Sequence, residues 1–169
     1  MLIVGYLVVI LGCGFLGLFK AAQIKKRPKE IREMINALSL LDTEIFWGVT
    51  PLPEAFAIIK DRVDSPWKEF FGRLEEKINK GESASKAWIT SIAEEQKNAS
   101  LHAEDWKIIE SIGKSLGRAD KNEEHKHLEL GQKHLTTLYE KTRNQADLKA
   151  KMWSYLGFLA GSAIAIVIM

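Results

Sequence analysis

Two uncharged apolar runs at the ends of the chain constrain its fold more than any other feature. Residues Leu2 to Phe19 and Met152 to Met169 are 18 residues each and contain no Asp, Glu, Lys or Arg. An α-helix of this length extends about 27 Å, close to the thickness of the hydrocarbon core of a bilayer. We therefore predict one transmembrane helix over 2–19 and a second over 152–169.

The first run differs from a cleaved signal peptide, which has basic residues before its apolar core and a small-residue cleavage site after it. No charged side chain precedes Leu2, whereas five basic residues occur between Lys20 and Lys29. Cys13 follows an Ile-Leu-Gly tripeptide, as in a lipoprotein cleavage site, but the apolar run continues to Phe19. A retained helix is the interpretation that we favour.

Basic residues flank the inner side of both runs. Arg143, Lys149 and Lys151 precede the second run, as the basic segment 20–27 follows the first. The positive-inside rule predicts a two-pass protein whose central region is cytoplasmic and whose short ends lie outside. The single cysteine, within the first run, is consistent with a chain that forms no internal disulfide.

Between the two runs, apolar residues repeat at the spacing of one helical face in six consecutive segments. The predicted helices begin at Pro28, at Thr50 and Pro51, at Ser65 and Pro66, at Ser83 or Ser85, at Ser100 and at Asp120, and Gly48, Gly81 and Gly117 end three of them. The predicted inward residues are Ile31, Met34, Ile35, Leu38, Leu41, Ile45, Leu52, Ala55, Phe56, Ile59, Val63, Trp67, Phe70, Phe71, Leu74, Ile78, Ala84, Ala87, Trp88, Ile92, Trp106, Ile109, Ile112, Leu116, Leu128, Leu135, Leu138 and Tyr139.

Short connections make sequential helices antiparallel, so we predict an all-α fold, an antiparallel six-helix bundle between two transmembrane helices. The predicted domains are a transmembrane helix at 2–19, a basic cytoplasmic linker at 20–27, a cytoplasmic helical bundle at 28–139, a helical stalk at 140–151 and a transmembrane helix at 152–169. Residues 132–156 contain neither Gly nor Pro, so the sixth helix is expected to continue through the stalk.

The sequence offers little to support catalysis. Gly113, Lys114 and Ser115 imitate the end of a phosphate-binding loop, but the first Gly of that motif is replaced by Ile108 and the tripeptide falls on a helical stripe. No Ser is distinguished as a nucleophile. We therefore predict no catalytic residues and no cofactor.

Histidines on the sixth helix are the one metal-like feature. Glu124 and His127 have the Glu-x-x-His spacing of four-helix di-metal sites, but no second such pair occurs in the chain. We interpret His125, His127 and His134 as surface or packing residues and predict no metal. A membrane-bound, metal-dependent enzyme that uses this helix stays open as the alternative.

Other residues favour assembly rather than transport or nucleic-acid binding. The formal net charge is only +2, so no strong field recruits nucleic acid, and neither apolar run contains an ionisable side chain of an ion path. A pore formed by an oligomer is disfavoured on the same ground but stays open. Gly157, Gly161 and Ala165 lie four apart, a small-residue stripe that allows close helix packing in lipid, between the two runs or with another protein. The five Trp are expected in the core or, as for Trp153, at a membrane interface.

Three blocks of the chain resemble the stage III sporulation protein AB family. They are KRPKEIREMINALSLLDTEIFWGVTPLPEA from Lys26, LGRADKNEEHKHLELGQKHL from Leu116 and KMWSYLGFLAG from Lys151. The blocks occur in the family's order over essentially the whole chain. The sequence departs from the family's pattern at His125, where Gln is expected, and at Gly131.

The resemblance implies a non-enzymatic platform in the mother-cell membrane around the forespore of an endospore-forming bacterium. It implies membership of a channel complex between the two cells and a soluble domain like the F-domain of type II secretion platforms. The implied partners are a secretion-type ATPase, other membrane subunits of the complex and membrane lipid. The partner-contact candidates are Arg27, Arg32, Glu44, Thr50, Pro51, Gly117 and Asp120. Arg32 and Glu44 are preferred, because a solvated charge on a helix has no folding role.

Overall fold

A computed structural model describes the backbone of residues 2–117 and 121–168, and the side chains of residues 12, 14–117 and 122–164. Over these backbone ranges the protein is helical and contains no strand, as predicted. Six α-helices and one π-helical segment follow one another in the order α1 (Leu2–Asp42), the π-helical segment (Thr43–Trp47), α2 (Leu52–Lys60), α3 (Trp67–Asn79), α4 (Ala84–Glu95), α5 (Ala103–Ser115) and α6 (Lys121–Ile168).

The chain divides into two compact units. The terminal unit combines Met1–Pro28 with Lys141–Met169, and the central unit is Lys29–Glu140. Helices α1 and α6 therefore each contribute residues to both units. The expectation that the sixth helix has no break after residue 132 is confirmed by α6.

The prediction that a helix begins at Pro28 is wrong. Pro28 lies inside α1, and the residues predicted as a linker at 20–27 are helical. A proline in a helix interior costs about 3 kcal/mol through its missing N–H and its ring. Side chains on both sides of this point are nevertheless buried, including Ala21 and Ile31, and this burial offsets the local cost.

Local contacts shift the starts of three other helices. Pro51 and Pro66 occupy the cap positions that we had given to the preceding residues, so α2 and α3 each begin one residue later than predicted. Ser100 does not begin α5, because its N–H donates to Glu30 Oε2 at 2.6 Å instead. The cap of α5 is His102, whose N–H donates to Asp105 Oδ2 at 2.8 Å.

The predicted inward faces are confirmed in the central unit. Every predicted inward residue belongs to the buried core or packs against it. Trp67, Phe70, Phe71, Phe56 and Trp88 form a network of ring contacts, with centroids between 5.0 and 6.3 Å apart. Such edge-on and tilted pairs stabilise a core beyond the area that they bury.

The buried tryptophans also satisfy their polar atoms. Trp67 Nε1 donates to the carbonyl of Glu30 at 2.8 Å, and Trp88 Nε1 donates to the carbonyl of Ile109 at 2.9 Å. These bonds attach α3 to α1 and α4 to α5. Because a hydrogen bond forms only in a defined direction, these bonds and the side-chain packing together fix the register between the helices.

Ion pairs join consecutive helices of the central unit. Arg73 on α3 pairs with the buried carboxylate of Glu95 on α4, and its Nε lies 3.3 Å from Glu94. Lys60 on α2 binds Glu75 on α3 at 2.7 Å, and this hydrogen bond raises the pKa of Lys60. At the start of α3, the Ser65 hydroxyl donates to Glu69 and lowers the pKa of that carboxyl.

We predict that Gly113→Ala destabilises the protein by about 2 kcal/mol or more, because an added methyl group would overlap the indole ring of Trp88. Chemical unfolding of the full-length protein in a neutral detergent, followed by circular dichroism, measures this change. Gly72→Ala on α3 is the matched control.

At Gly72 the nearest atom is Lys60 Cδ at 3.3 Å, a methylene of a long side chain that needs to move by only a few tenths of an ångström. Gly72→Ala is therefore expected to stabilise α3 by about 0.5 to 1 kcal/mol. Equal midpoints for Gly113→Ala and the wild type would contradict the packing described here.

Candidate partner-docking site

Four of the seven predicted contact residues surround one corner of the central unit. These four are Glu44, Thr50, Pro51 and Gly117. Glu44 and Thr50 are hydrogen-bonded to each other, and a Cβ added at Gly117 would lie 3.7 Å from Leu52, next to Pro51. Of the other three, Arg32 is exposed on α1, Arg27 belongs to the terminal unit, and Asp120 lies outside the described residues.

The π-helical segment forms this corner at the end of α1. The N–H of Gly48 donates to the carbonyl of Thr43 at 3.0 Å, and the N–H of Thr50 donates to the carbonyl of Glu44 at 2.9 Å. The Thr50 hydroxyl also donates to Glu44 Oε2 at 2.9 Å. Glu44 is thus more than a solvated charge, because its carboxylate fixes the turn that leads into α2.

Val49 has an unfavourable backbone conformation at the centre of the turn. Its φ of 53° lies in the left-handed region, where a β-branched residue is a genuine outlier. Gly48, which we predicted as the helix stop, has an ordinary right-handed conformation instead. The strain is held by the hydrogen bonds on both sides of Val49, and strained residues of this kind concentrate at functional sites.

Two apolar side chains of the corner point into solvent. Trp47 is 75% exposed and Val49 is 63% exposed. Phe46 is half-buried, and its ring lies edge-on to that of Trp47 with the centroids 5.1 Å apart. On the other side Phe46 stacks on the His125 ring of α6 at 4.5 Å, and His125 Nδ1 lies 2.7 Å from Asp42 Oδ1. The start of α6 therefore supports the end of α1 below an exposed indole.

The sequence did not mark Phe46, Trp47 or Val49 as contact residues. Trp67, Trp88 and Trp106 are buried as expected, but the general assignment of the tryptophans to core or membrane interface is wrong for Trp47. One signal was available, because Trp47 falls after the last residue of the apolar stripe and directly before a Gly-Val-Thr-Pro turn.

The corner lies in an acidic part of the chain. Residues 33–59 contain Glu33, Asp42, Glu44 and Glu54 but no Lys or Arg. Across the central unit, 21 acidic residues outnumber 16 basic ones, giving a formal net charge of −5. Two of these carboxylates lie at the corner itself, Glu44 bonded to Thr50 and Asp42 beside His125.

The side chains that carried the metal alternative have other roles. The Glu124 carboxylate accepts the N–H of Gly117 at 2.5 Å, and His125 packs on Phe46. His127 and His134 are exposed. Among the described residues, no group of three or more potential metal ligands lies together.

The tripeptide that imitates a phosphate loop lies within α5, as its helical stripe predicted. Gly113 is buried against Trp88, Lys114 pairs with Glu110 at 2.7 Å, and the Ser115 hydroxyl donates to the carbonyl of Ile112. A helical backbone directs its N–H groups along the helix axis and not toward a common anion.

Small residues meet in the terminal unit. A Cβ added at Gly17 would lie 2.9 Å from the carbonyl oxygen of Trp153 and 3.2 Å from Gly157 Cα. Gly161 is buried, and the side chain of Ala165 lies outside those described. The structure thus packs Gly157 against Gly17.

Within the part of the chain that the structure describes, no helix contains a stretch of the length and apolar character that spanning a membrane requires.

Comparisons with known proteins identify the family. The model of the family described as stage III sporulation protein AB matches residues 2–169. The chain belongs to this family. Stage III sporulation protein AB of Bacillus subtilis (strain 168) is 30% identical over 169 residues, which cover 99% of this chain and 98% of that protein. A solved structure of a stage III sporulation protein AB matches 72% of this chain and 97% of its own, with a TM-score of 0.69 and 28% identity. The resemblance seen in the sequence is therefore confirmed.

We predict that Val49→Asn raises the stability of the protein by about 1 kcal/mol, because Asn tolerates the left-handed conformation far better than a β-branched residue. The urea midpoint of the full-length protein in detergent measures it. Val49→Ile, which keeps the branched side chain, is the control and should leave the midpoint unchanged. A midpoint for Val49→Asn at or below that of the wild type would show that Val49 is not strained.

Proposed function

We propose that this chain is a non-enzymatic platform subunit of the mother cell–forespore channel complex that sporulation requires. In this proposal it docks a cytosolic secretion-type ATPase and neighbouring membrane subunits, as the family resemblance implies. Membership of the stage III sporulation protein AB family supports the setting. The roles found for Glu124, His125 and Gly113 in packing and capping further support a contact function rather than a chemical one.

The proposed location is the mother-cell membrane around the forespore, with residues 2–19 and 152–169 as membrane spans. The central domain, a six-helix bundle in this proposal, is cytoplasmic. The uncharged runs support the spans, and the charge distribution supports the orientation. The terminal unit contains eight Lys and Arg against one Asp, a net charge of +7, whereas the central unit has a net charge of −5. Basic residues next to apolar spans favour the cytoplasmic side.

The docking surface that we propose consists of four side chains at this corner, those of Phe46, Trp47, Val49 and Pro51. The exposed indole of Trp47 is the observation that carries this proposal. Tryptophan is enriched among the residues that dominate binding energy. Because its side chain is rigid, it loses little conformational entropy on association. The exposed indole favours an apolar pocket on the ATPase. The nearby carboxylates favour a basic rim around that pocket, since complementary charge steers and orients association.

We predict that Trp47→Ala weakens binding of the ATPase subunit about 30-fold, which corresponds to about 2 kcal/mol for a buried Trp anchor. Binding of the detergent-solubilised full-length protein to the purified ATPase, by biolayer interferometry, gives the affinity. Leu130→Ala is the matched control, because Leu130 is a 52% exposed apolar residue of the central unit outside the π-helical segment and the turn that follows it.

Unchanged affinity in Trp47→Ala, or an equal loss in Leu130→Ala, would rule out the corner as the docking surface. Circular dichroism of each variant separates lost binding from lost structure. Val49→Asn adds a second check, because it is expected to weaken binding while the fold becomes more stable.

We also predict that Glu44→Gln weakens ATPase binding, most clearly at low salt, with little change in the unfolding midpoint. Glutamine keeps an oxygen that accepts the Thr50 hydroxyl but removes the charge that a basic partner recognises. Thr50→Val is the complementary variant, because it removes the hydrogen bond and keeps the charge. If Glu44→Gln binds as tightly as the wild type at every salt concentration, the basic rim proposed for the partner is wrong.

A further inference from the structure

A groove between α1 and α6 in the terminal unit combines cationic and apolar walls. The groove has a volume of about 410 Å³. Lys25, Lys151 and Ser154 supply polar atoms, and Leu18, Ala21 and Tyr155 are among the residues that supply apolar surface. Neither the proposed ATPase contact nor the helix packing at Gly157 uses this groove.

The cations at the groove have few counter-charges. The Lys25 side chain is 58% exposed and lies 3.4 Å from Asp147. The same carboxylate lies 3.9 Å from Arg143, so one acid is shared between two bases. Lys151 is exposed, and Asp147 is the only acidic residue in the sequence of the terminal unit. This excess of positive charge favours an anionic ligand.

The apolar part of the groove distinguishes a lipid from a soluble anion. Leu18 is 60% exposed and Tyr155 is 69% exposed, and Phe19 and Leu156 beside them are also solvent-accessible. A soluble phosphate would leave this surface bare, whereas the acyl chain of a lipid would cover it. Tyrosine with lysine nearby is the residue pair typical of the headgroup level of a bilayer.

We propose that this groove binds an anionic phospholipid, with the headgroup phosphate between Lys25 and Lys151 and an acyl chain along Leu18 and Tyr155. The inference rests on the proposed membrane location and adds a specific lipid to it. Juxtamembrane lysines attract anionic lipids in general, and a groove lined by two helices would fix one molecule in place. The bound lipid would then also bridge α1 and α6 at the end of the small-residue contact.

The test is native mass spectrometry of the full-length protein in a neutral detergent, with added phosphatidylglycerol or phosphatidylcholine. Retention of one phosphatidylglycerol at least tenfold over phosphatidylcholine is expected. Lys25→Gln/Lys151→Gln is expected to lower that retention at least tenfold. The matched control, Lys141→Gln/Lys149→Gln, removes the same charge from the terminal unit outside the groove lining and should retain the lipid. Lys25→Arg/Lys151→Arg keeps the charge and should bind as the wild type does.

Equal retention of the two lipids, or an equal loss in both Gln variants, would overturn the groove as a lipid site. Displacement of the lipid by millimolar inorganic phosphate would show a soluble anion as the ligand instead. Reconstitution into phosphatidylcholine vesicles, followed by carbonate extraction, tests the proposed location separately. Protein that stays in these vesicles without lipid selectivity refutes only this inference, whereas protein that carbonate removes refutes the membrane location as well.

Discussion

The close packing of tryptophan rings against small or aromatic neighbours organises the central unit. Trp88 lies directly on Gly113 and donates its N–H to the carbonyl of Ile109, so α4 and α5 have only one register in which both contacts form. Trp67 performs the same role between α3 and the carbonyl of Glu30 on α1. Because a protein interior is packed as densely as an organic crystal, these contacts transmit the position of one helix to the next.

The geometry at the end of α1 depends on that core. Leu41 and Ile45 are buried, and they anchor the last turns of α1 while the π-helical segment carries Trp47 outward. Below the indole, the Phe46–His125 stack and the His125–Asp42 contact tie this segment to α6. A well-packed support is what allows an unfavourable φ at Val49 to persist, since the surrounding contacts stabilise more than the strained residue costs.

The charge of the chain is nearly balanced as a whole but divided between its parts. The terminal unit is strongly basic and the central unit is acidic, although the total is only +2. A basic surface favours anionic lipid headgroups, and an acidic surface favours basic protein partners. The division therefore agrees with the two kinds of binding that we propose, and an average over the whole chain conceals it.

The sequence by itself determined the helical class, the inward faces and the glycines at which three helices stop. Apolar spacing and the turn residues Gly81 and Gly117 act within a few positions, so a local pattern is sufficient to find them. The family was also readable from three blocks in the right order. The prediction that a helix begins at Pro28 was wrong, because packing that the sequence does not display offsets the free-energy cost of a proline inside a helix.

Only the tertiary structure decided which side chains are exposed at the turn between the π-helical segment and α2. Ser100 does not cap α5, because its N–H is bonded to Glu30, which is 70 residues away in the chain. The stacking of Phe46 on His125 likewise joins distant segments, and the exposure of Trp47 and the left-handed φ of Val49 are evident only in the folded turn. Local propensity records what a residue prefers, whereas these features depend on which neighbours the completed core leaves beside it.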